Sequence, residues 1–172
     1  MERVGGEVVW EGRLNRVRVD RFRYDDGEEA EREIVEHLGA VAIVAHDGET
    51  VYLVRQPREA IGDPDFLEIP AGRLDQEGES PLEAAQRELA EEIGKAASRW
   101  ERITSYVSSA GMSDEVVHVF HATGLTDRSA ESDENERIEI VRWPLDDLDG
   151  ALAATRDAKT IIALQWLKLD RT

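Results

Sequence analysis

Residues 81–93 are the most tightly bounded segment of this sequence, because the residues at both ends predict where a helix begins and ends. Ser80, Pro81 and Glu83 fit the N-cap, first and third positions of a capping box. Gly94 is suited to the left-handed conformation that closes a helix. Between these ends an apolar stripe recurs every three or four positions, formed by Leu82, Ala85, Leu89 and Ile93. The sequence therefore predicts a helix that packs one face on a hydrophobic core.

A second face of the predicted helix carries Glu88, Glu91 and Glu92. Like charges one turn apart destabilise an exposed helix by about 0.2–0.5 kcal/mol, and acids near its C-terminal end also oppose the helix dipole. Arg87 is spaced to pair with Glu83 or Glu91. A hard divalent cation would offset the remaining repulsion, because Mg²⁺ and Mn²⁺ prefer carboxylate oxygens. The spacing alone is also typical of a solvated acidic surface, so it leaves both interpretations open.

Most of the other patterned segments predict β-strands. Apolar runs bounded by glycine, proline and aspartate predict strands near residues 8–10, 14–24, 40–45, 51–54, 66–69, 103–107, 116–122 and 138–143. A second amphipathic helix is predicted at residues 157–169. Many strands with a few helices among them predict an α+β domain, in which helices pack on a mixed sheet.

Length and composition fit one ordinary domain with an N-terminal extension. The 172 residues are 41% hydrophobic, which is enough for a core. The formal charge of -17 argues against nucleic acid as the main ligand, because phosphate contacts rely on Lys and Arg. Cysteine is absent, so the expected location is a reducing cytoplasm, without disulfides or thiolate metal sites. No segment approaches the ~18 apolar residues of a membrane span, and we expect no membrane partner.

The residues around the acidic helix form a longer motif. Gly72 is followed by six residues, Glu79, seven residues and the segment 87–94, RELAEEIG. This pattern resembles the Nudix box, whose usual form is G-x5-E-x7-R-E-U-x-E-E-x-G-U, where U is a bulky apolar residue. The chain departs from that form in two places: the first gap has six residues rather than five, and Lys95 stands where an apolar residue is usual. Neither departure falls on an expected metal ligand.

The resemblance implies a divalent metal site, with Mg²⁺ as the expected ion and Mn²⁺ as a substitute. By the matching positions, the implied ligands are Glu88, Glu91, Glu92 and the backbone carbonyl of Ala71. Glu91 and Arg87 are expected among the catalytic residues, and Glu79 is expected to help Arg87 fix the geometry of the loop and helix.

Outside the box, the chain is similar to the ADP-ribose pyrophosphatase branch of the Nudix family. The similarity includes residues 67–72, 109–115 and 157–164, although Ala110 occupies a position where that branch commonly has proline. In the branch, an acidic loop supplies the catalytic glutamate. Residues 131–136 form such a loop here, so the resemblance implies Glu134 as the general base, with Glu136 as the second choice.

Residues expected to bind substrate come from three regions of the chain. Arg55 and Arg58 precede the box and are suited to phosphate or ribose oxygens, with a surface ion pair as the alternative for either, and for Arg58 an equally favoured one. Glu68 is expected to bind a substrate hydroxyl or amine, or else to be a rim acid. The resemblance adds Arg18 and Phe22 from the N-terminal strands, with Arg23 near them, and Met112 from the loop at residues 109–115.

Together these features imply metal-dependent hydrolysis of the pyrophosphate of ADP-ribose to AMP and ribose 5-phosphate. The implied fold is α+β, a Nudix-type α/β/α sandwich with a mixed central sheet plus a small N-terminal antiparallel sheet. We expect an extension at residues 1–38 that forms a homodimer, and a hydrolase domain at residues 39–172. Two alternatives remain open: hydrolysis of another nucleoside diphosphate sugar or dinucleotide, such as GDP-mannose, NADH or FAD, and nucleotide sensing without catalysis.

Overall fold

The computed structural model describes residues 1–130 and 137–171, which form two compact units. The first unit comprises Met1–Gly39 and Tyr106–Val117, and the remaining described residues form the second. A three-stranded antiparallel sheet builds the first unit, in the order β1 (Glu2–Glu11), β2 (Arg16–Arg23), β3 (Glu29–Glu36). Gly27, with φ of 88°, provides the left-handed residue of the β2–β3 turn. Asp20 of β2 is fully buried and accepts a hydrogen bond of 2.8 Å from Arg3.

The main sheet has seven strands. They are β4 (Ala40–His46), β5 (Thr50–Arg58), β6 (Asp63–Glu68), β7 (Ala71–Arg73), β8 (Lys95–Val107), β9 (Val116–Asp127) and β10 (Glu139–Pro144). The order along the sheet is β10-β5-β4-β9-β8, with β6 paired to β5 and β7 paired to β4. A short 3-10 helix at Glu59–Ile61 joins β5 to β6. Because β7 pairs with β4, the first glycine of the box lies beside the most buried strand of the sheet.

Among the described residues, the α-helices that accompany this sheet are α1 (Pro81–Ile93), α2 (Leu148–Ala154) and α3 (Ala158–Asp170). α1 contacts β4, β5 and β7, and its Leu89 and Ile93 share a buried cluster with Val41 and Ile43 of β4. Successive residues of a strand point to opposite faces, so the equally buried Val44 faces away from α1, and α3 also contacts β4. Each fully buried aliphatic side chain contributes roughly 1.5–3 kcal/mol, which anchors α1 firmly on the sheet.

The architecture confirms the predicted α+β class and the predicted ends of α1. The Ser80 hydroxyl accepts a hydrogen bond from the Glu83 backbone, the Glu83 carboxylate accepts one from the Ser80 backbone, and Gly94 has φ of 66°. The predicted burial of Leu82 is wrong: Leu82 is exposed, and Ala84 is buried in its place, because the sheet lies against a slightly rotated face of the helix.

Several elements differ in length from their predictions. β1 and β8 are longer than predicted, since polar residues continue the backbone pairing beyond the apolar runs, and β3, whose sequence is mostly polar, was not predicted. α2, with seven residues, was not predicted because it is too short to show a clear helical period. Within the part of the chain that the structure describes, no helix has both the length and the apolar character needed to cross a bilayer.

Candidate functional site

The box residues surround a cavity of about 270 Å³ beside β7 and α1. Its walls are almost entirely polar: they carry three arginines, four carboxylates and the backbone that leads into the box. The lining residues are Gln56, Arg58, Ala71, Gly72, Arg73, Asp75, Arg87, Glu88, Glu91 and Glu92. A pocket with this composition is suited to a ligand that combines negative charge with many oxygen atoms, and to cations that accompany it.

Arg87 is the central cation of this site. Its guanidinium donates two hydrogen bonds of 3.0 Å to the carboxylate of Glu79, through Nε and Nη2. Its Nη1 donates to Glu88 at 2.6 Å and to Glu91 at 3.0 Å. The hydrogen bonds to Glu79 raise the pKa of Arg87 above its usual range, and the charge of Glu88 adds to this effect. Of the two partners predicted for Arg87, Glu91 is found, whereas Glu83 is occupied by the helix cap. The pairing with Glu79 was not predicted.

Close approach of the backbone to α1 explains the glycine at position 72. A Cβ atom added to Gly72 would overlap the carboxylate of Glu88. The backbone N–H of Ala71 donates a hydrogen bond of 3.1 Å to Glu92. Glu88 and Glu92 are only 9% and 6% exposed. Two helical acids are thus largely withdrawn from water against the β7 backbone, which is costly for carboxylates unless cations or N–H donors compensate their charge.

The donor set fits a hard divalent cation. It offers carboxylate oxygens from Glu88, Glu91 and Glu92 next to the backbone of Ala71, which is the chemistry that Mg²⁺ and Mn²⁺ prefer. The close approach at Gly72 brings this backbone within reach of the acidic face. Over residues 1–130 and 137–171, no three His, Cys, Asp or Glu side chains already converge at metal-binding geometry. Arg87 donates to one oxygen of Glu88 and one oxygen of Glu91, so these two side chains are already held close to each other.

The three expected substrate-binding residues near the box have different surroundings. Arg58 lines the box cavity and donates a hydrogen bond of 2.5 Å from Nε to Glu68. Burial lowers the pKa of Arg58, but the hydrogen bond and charge of Glu68 outweigh this effect and raise it. Arg55 is paired with Asp65 at 3.0 Å and is not among the residues that line the cavity. Glu68 also lies outside the lining, and its second oxygen binds Lys159.

The expected substrate-binding residues of the first unit lie around one cavity of about 390 Å³. Arg18, Phe22 and Met112 all line it, next to Tyr24 and Arg32. Arg18 also forms ion pairs with Asp20, Glu36 and Asp114 at 3.1, 3.0 and 3.6 Å. Arg23 instead pairs with Glu29 at 2.7 Å and does not line this cavity. Aromatic rings beside guanidinium groups are suited to a flat, nitrogen-rich ring.

Two expected catalytic residues, Glu134 and Glu136, lie outside the described residues. The structure also adds residues that the sequence did not single out: Gln56, Arg73 and Asp75 line the box cavity, and Lys159 binds Glu68. Arg73 and Asp75 lie one and three positions after Gly72, so their place in the box loop was a usable signal. Lys159 is separated from Glu68 by 91 residues, and no local pattern links the two.

Comparisons with known proteins agree with this geometry. The family model described as NUDIX domain matches residues 35–166. The chain is 36% identical over 169 residues to the methanol dehydrogenase activator of Bacillus methanolicus, covering 95% of this chain and 90% of that one. It is 36% identical over 171 residues to the ADP-ribose pyrophosphatase of Bacillus subtilis (strain 168), covering 96% and 91%. A solved structure described as an ADP compounds hydrolase superposes with a TM-score of 0.86 at 26% identity, covering 97% and 91%. These likenesses confirm the Nudix-type fold expected from the box.

Proposed function

The chain belongs to the NUDIX family, and from this membership we propose that it hydrolyses the pyrophosphate of ADP-ribose to AMP and ribose 5-phosphate. The observation that carries the proposal is the box cavity, whose lining combines Arg58, Arg73 and Arg87 with four carboxylates. Beside it, the backbone at Gly72 lies so close to Glu88 that a Cβ atom would not fit. A relative named ADP-ribose pyrophosphatase, which is similar over nearly the whole chain, supports the choice of substrate.

We propose Mg²⁺ as the ion, with Mn²⁺ as a substitute, and Glu88, Glu91, Glu92 and the Ala71 carbonyl as its ligands. A bound divalent cation would supply charge neutralisation on the two phosphates. The protein supplies the remainder of the site. Arg87 binds Glu79 on the box loop and Glu88 and Glu91 on α1, and so it holds the loop against the helix. Arg58 donates N–H bonds to phosphate oxygens from the cavity wall.

Attack by water requires a base, and we propose Glu134 for this role, with Glu136 as the alternative. Both belong to an acidic segment between β9 and β10. The expected result is that Glu134→Gln lowers kcat by roughly 10²–10⁴-fold while Glu136→Gln has a much smaller effect. A reversed order of the two effects would transfer the role to Glu136. Both variants are measured at saturating ADP-ribose and Mg²⁺, since only the rate of the chemical step is in question.

The first unit is proposed to bind the adenine end of the substrate. Phe22 and Tyr24 provide aromatic faces, and Arg18 and Met112 also line the same cavity. The proposed division is an N-terminal extension at residues 1–38 and a hydrolase domain at residues 39–172, with a homodimer formed through the extension. Exposed apolar residues on β1, including Val9 and Trp10, support such an interface. Sedimentation equilibrium of the wild type and of Trp10→Glu tests it: we expect a dimer and a monomer, respectively.

Product analysis tests the reaction itself. Purified protein is incubated with ADP-ribose, GDP-mannose, NADH, FAD or a nucleoside triphosphate, in Mg²⁺ or in EDTA, and the products are separated by chromatography. AMP should form chiefly from ADP-ribose and only with metal. Glu88→Gln should abolish turnover, whereas the matched exposed variant Glu101→Gln should not. Faster turnover of another substrate would replace ADP-ribose and keep the chemistry. We place the activity in the cytoplasm, which suits a chain without cysteine.

A regulatory role is the second candidate, because one relative similar over 95% of the chain is named an activator of methanol dehydrogenase. In that case the domain would bind a nucleotide and act on a partner protein. Calorimetry distinguishes the two functions: tight binding of ADP-ribose without turnover of any member of the panel would favour regulation. The complete set of box acids, Glu79, Glu88, Glu91 and Glu92, favours hydrolysis.

A further inference from the structure

A buried carboxylate at the end of β6 binds two cations from distant parts of the chain. Glu68 is only 1% exposed. Its Oε1 accepts the 2.5 Å hydrogen bond from Nε of Arg58, and its Oε2 accepts a hydrogen bond from Nζ of Lys159. A single buried carboxylate therefore joins the box cavity, where Arg58 lies, to the first turn of α3, where Lys159 lies.

Lys159 is itself held in place by the helix cap. Its Nζ also donates to Asp157 at 3.0 Å, and Asp157 is the N-cap of α3, which accepts a 3.0 Å hydrogen bond from the Thr160 backbone. The Thr160 hydroxyl in turn accepts a 2.8 Å hydrogen bond from the backbone of Ile69, directly after Glu68. The start of α3 is thus bonded to the end of β6 through both side chain and backbone, so the position of Lys159 is set by rigid elements.

The geometry of Arg58 makes it sensitive to this arrangement. A guanidinium group is planar, so a bond at Nε fixes the orientation of the plane, and the four N–H bonds on its two Nη atoms are not consumed by that bond. The side chain of Arg58 remains 40% exposed and lines the box cavity. If Glu68 rotated, the guanidinium plane would rotate with it and direct its outer N–H bonds away from the cavity.

We infer that Lys159 is a positioning residue for diphosphate binding: it holds Glu68 so that Arg58 presents its outer N–H bonds to a phosphate oxygen in the box cavity. This inference rests on the proposed hydrolase function. Lys159 does not line the box cavity, and its Nζ is bound to Glu68 and Asp157. Removing it leaves the buried carboxylate with one cation, and Glu68 then gains freedom to turn around its remaining bond to Arg58.

A double-mutant cycle tests this coupling. Lys159→Met, Arg58→Met and the double variant are assayed with ADP-ribose and Mg²⁺, and binding of ADP-ribose in EDTA is measured by calorimetry. Lys159→Met should raise KM about tenfold with kcat within about threefold, because contacts equal in ground and transition states affect KM alone. In the Arg58→Met background, the same substitution should change KM less than about twofold, since the residue through which it acts is gone.

The matched control is Lys168→Met, which removes another lysine of α3 that pairs with an exposed acid, Asp149. It should leave KM and kcat unchanged. Lys159→Arg keeps the charge, so its KM should lie close to that of the wild type. Lys159→Gln replaces Lys159→Met if circular dichroism shows that the latter does not fold. If Lys159→Met changed KM equally in the wild type and in Arg58→Met, or if its kinetics matched those of Lys168→Met, the positioning role of Lys159 would be overturned while the proposed function would stand. No turnover of any diphosphate by the wild type would overturn the proposed function as well.

Discussion

Replacement of Arg87 by methionine should destabilise the metal-free protein and make its stability depend strongly on divalent cations. Arg87 compensates the charges of Glu79, Glu88 and Glu91 at distances between 2.6 and 3.0 Å. Methionine keeps most of the aliphatic stem but removes the guanidinium. The variant therefore leaves three carboxylates around one point without the cation that joins the box loop to α1.

The expected loss of stability follows from burial. Exposed ion pairs contribute at most about 1 kcal/mol, whereas removal of one partner of a buried pair costs about 3–5 kcal/mol. The side chain of Arg87 is 19% exposed, and so the lower end of the buried range applies. We expect Arg87→Met to lower the free energy of unfolding by about 3 kcal/mol in EDTA, which for a domain of this size lowers Tm by roughly 6–12 °C.

Chemical denaturation in urea, followed by tryptophan fluorescence, measures this loss. Parallel series in EDTA and in Mg²⁺ should show that Mg²⁺ stabilises Arg87→Met more than the wild type, because the ion no longer competes with a guanidinium for Glu88 and Glu91. Arg99→Met is the control, since Arg99 is an exposed arginine bonded to a threonine hydroxyl, and it should stay within about 0.5 kcal/mol of the wild type. A loss below about 1 kcal/mol for Arg87→Met in EDTA would refute the reasoning.

Three further predictions address the box backbone, the helix cap and the histidines. Gly72→Ala should lower kcat/KM for ADP-ribose roughly a hundredfold, because the added Cβ overlaps Glu88 and displaces it; kinetics in Mg²⁺ would show this, and wild-type kinetics would contradict it. Ser80→Ala should cost about 1 kcal/mol in urea unfolding, since the capping box loses its hydroxyl, and an unchanged midpoint would mean that the cap contributes nothing. Burial lowers the pKa of His46, as does the charge of His121, whose ring stacks on it at 5.0 Å. The unfolded chain therefore binds protons more readily, so the stability that neutral His46 contributes is complete above about pH 6.5, the ordinary pKa of histidine, and is lost as the pH falls below it through the lowered pKa of the folded state. His46→Gln should therefore show a smaller loss of urea midpoint between about pH 7.5 and 5.5, and an equal loss would exclude the histidine as the cause.

Features of the site that depend on neighbouring residues could be predicted from the sequence. The ends of α1 follow from the chemistry of Ser80, Glu83 and Gly94, which act within one turn of their own position. The acidic face follows from the spacing of Glu88 and Glu92 on a helix of known period. Both features depend on residues within a few positions of each other, so they do not require knowledge of the tertiary packing.

Features that depend on distant residues could not be predicted in this way. The two cations on Glu68 come from positions 10 and 91 residues away, and nothing in either local pattern predicts the pairing. The same applies to the exposure of Leu82, which depends on the face of α1 that meets the sheet. Helical periodicity gives the width of an apolar stripe but not its rotation relative to a partner.

The distribution of charge explains how a strongly acidic protein is able to receive an anionic substrate. The whole chain carries a formal charge of -17, yet the box cavity is lined by three arginines and four carboxylates and so has only one negative charge in excess. The three arginines do not fully neutralise the four carboxylates, but one added divalent cation would make the local charge positive. On the proposed ligand set, a divalent cation would strengthen binding of the diphosphate as well as assist its cleavage, because Glu88, Glu91 and Glu92 otherwise repel the substrate. Arg87 keeps Glu88 and Glu91 close together through its hydrogen bonds, which places two of the proposed ligands side by side on α1.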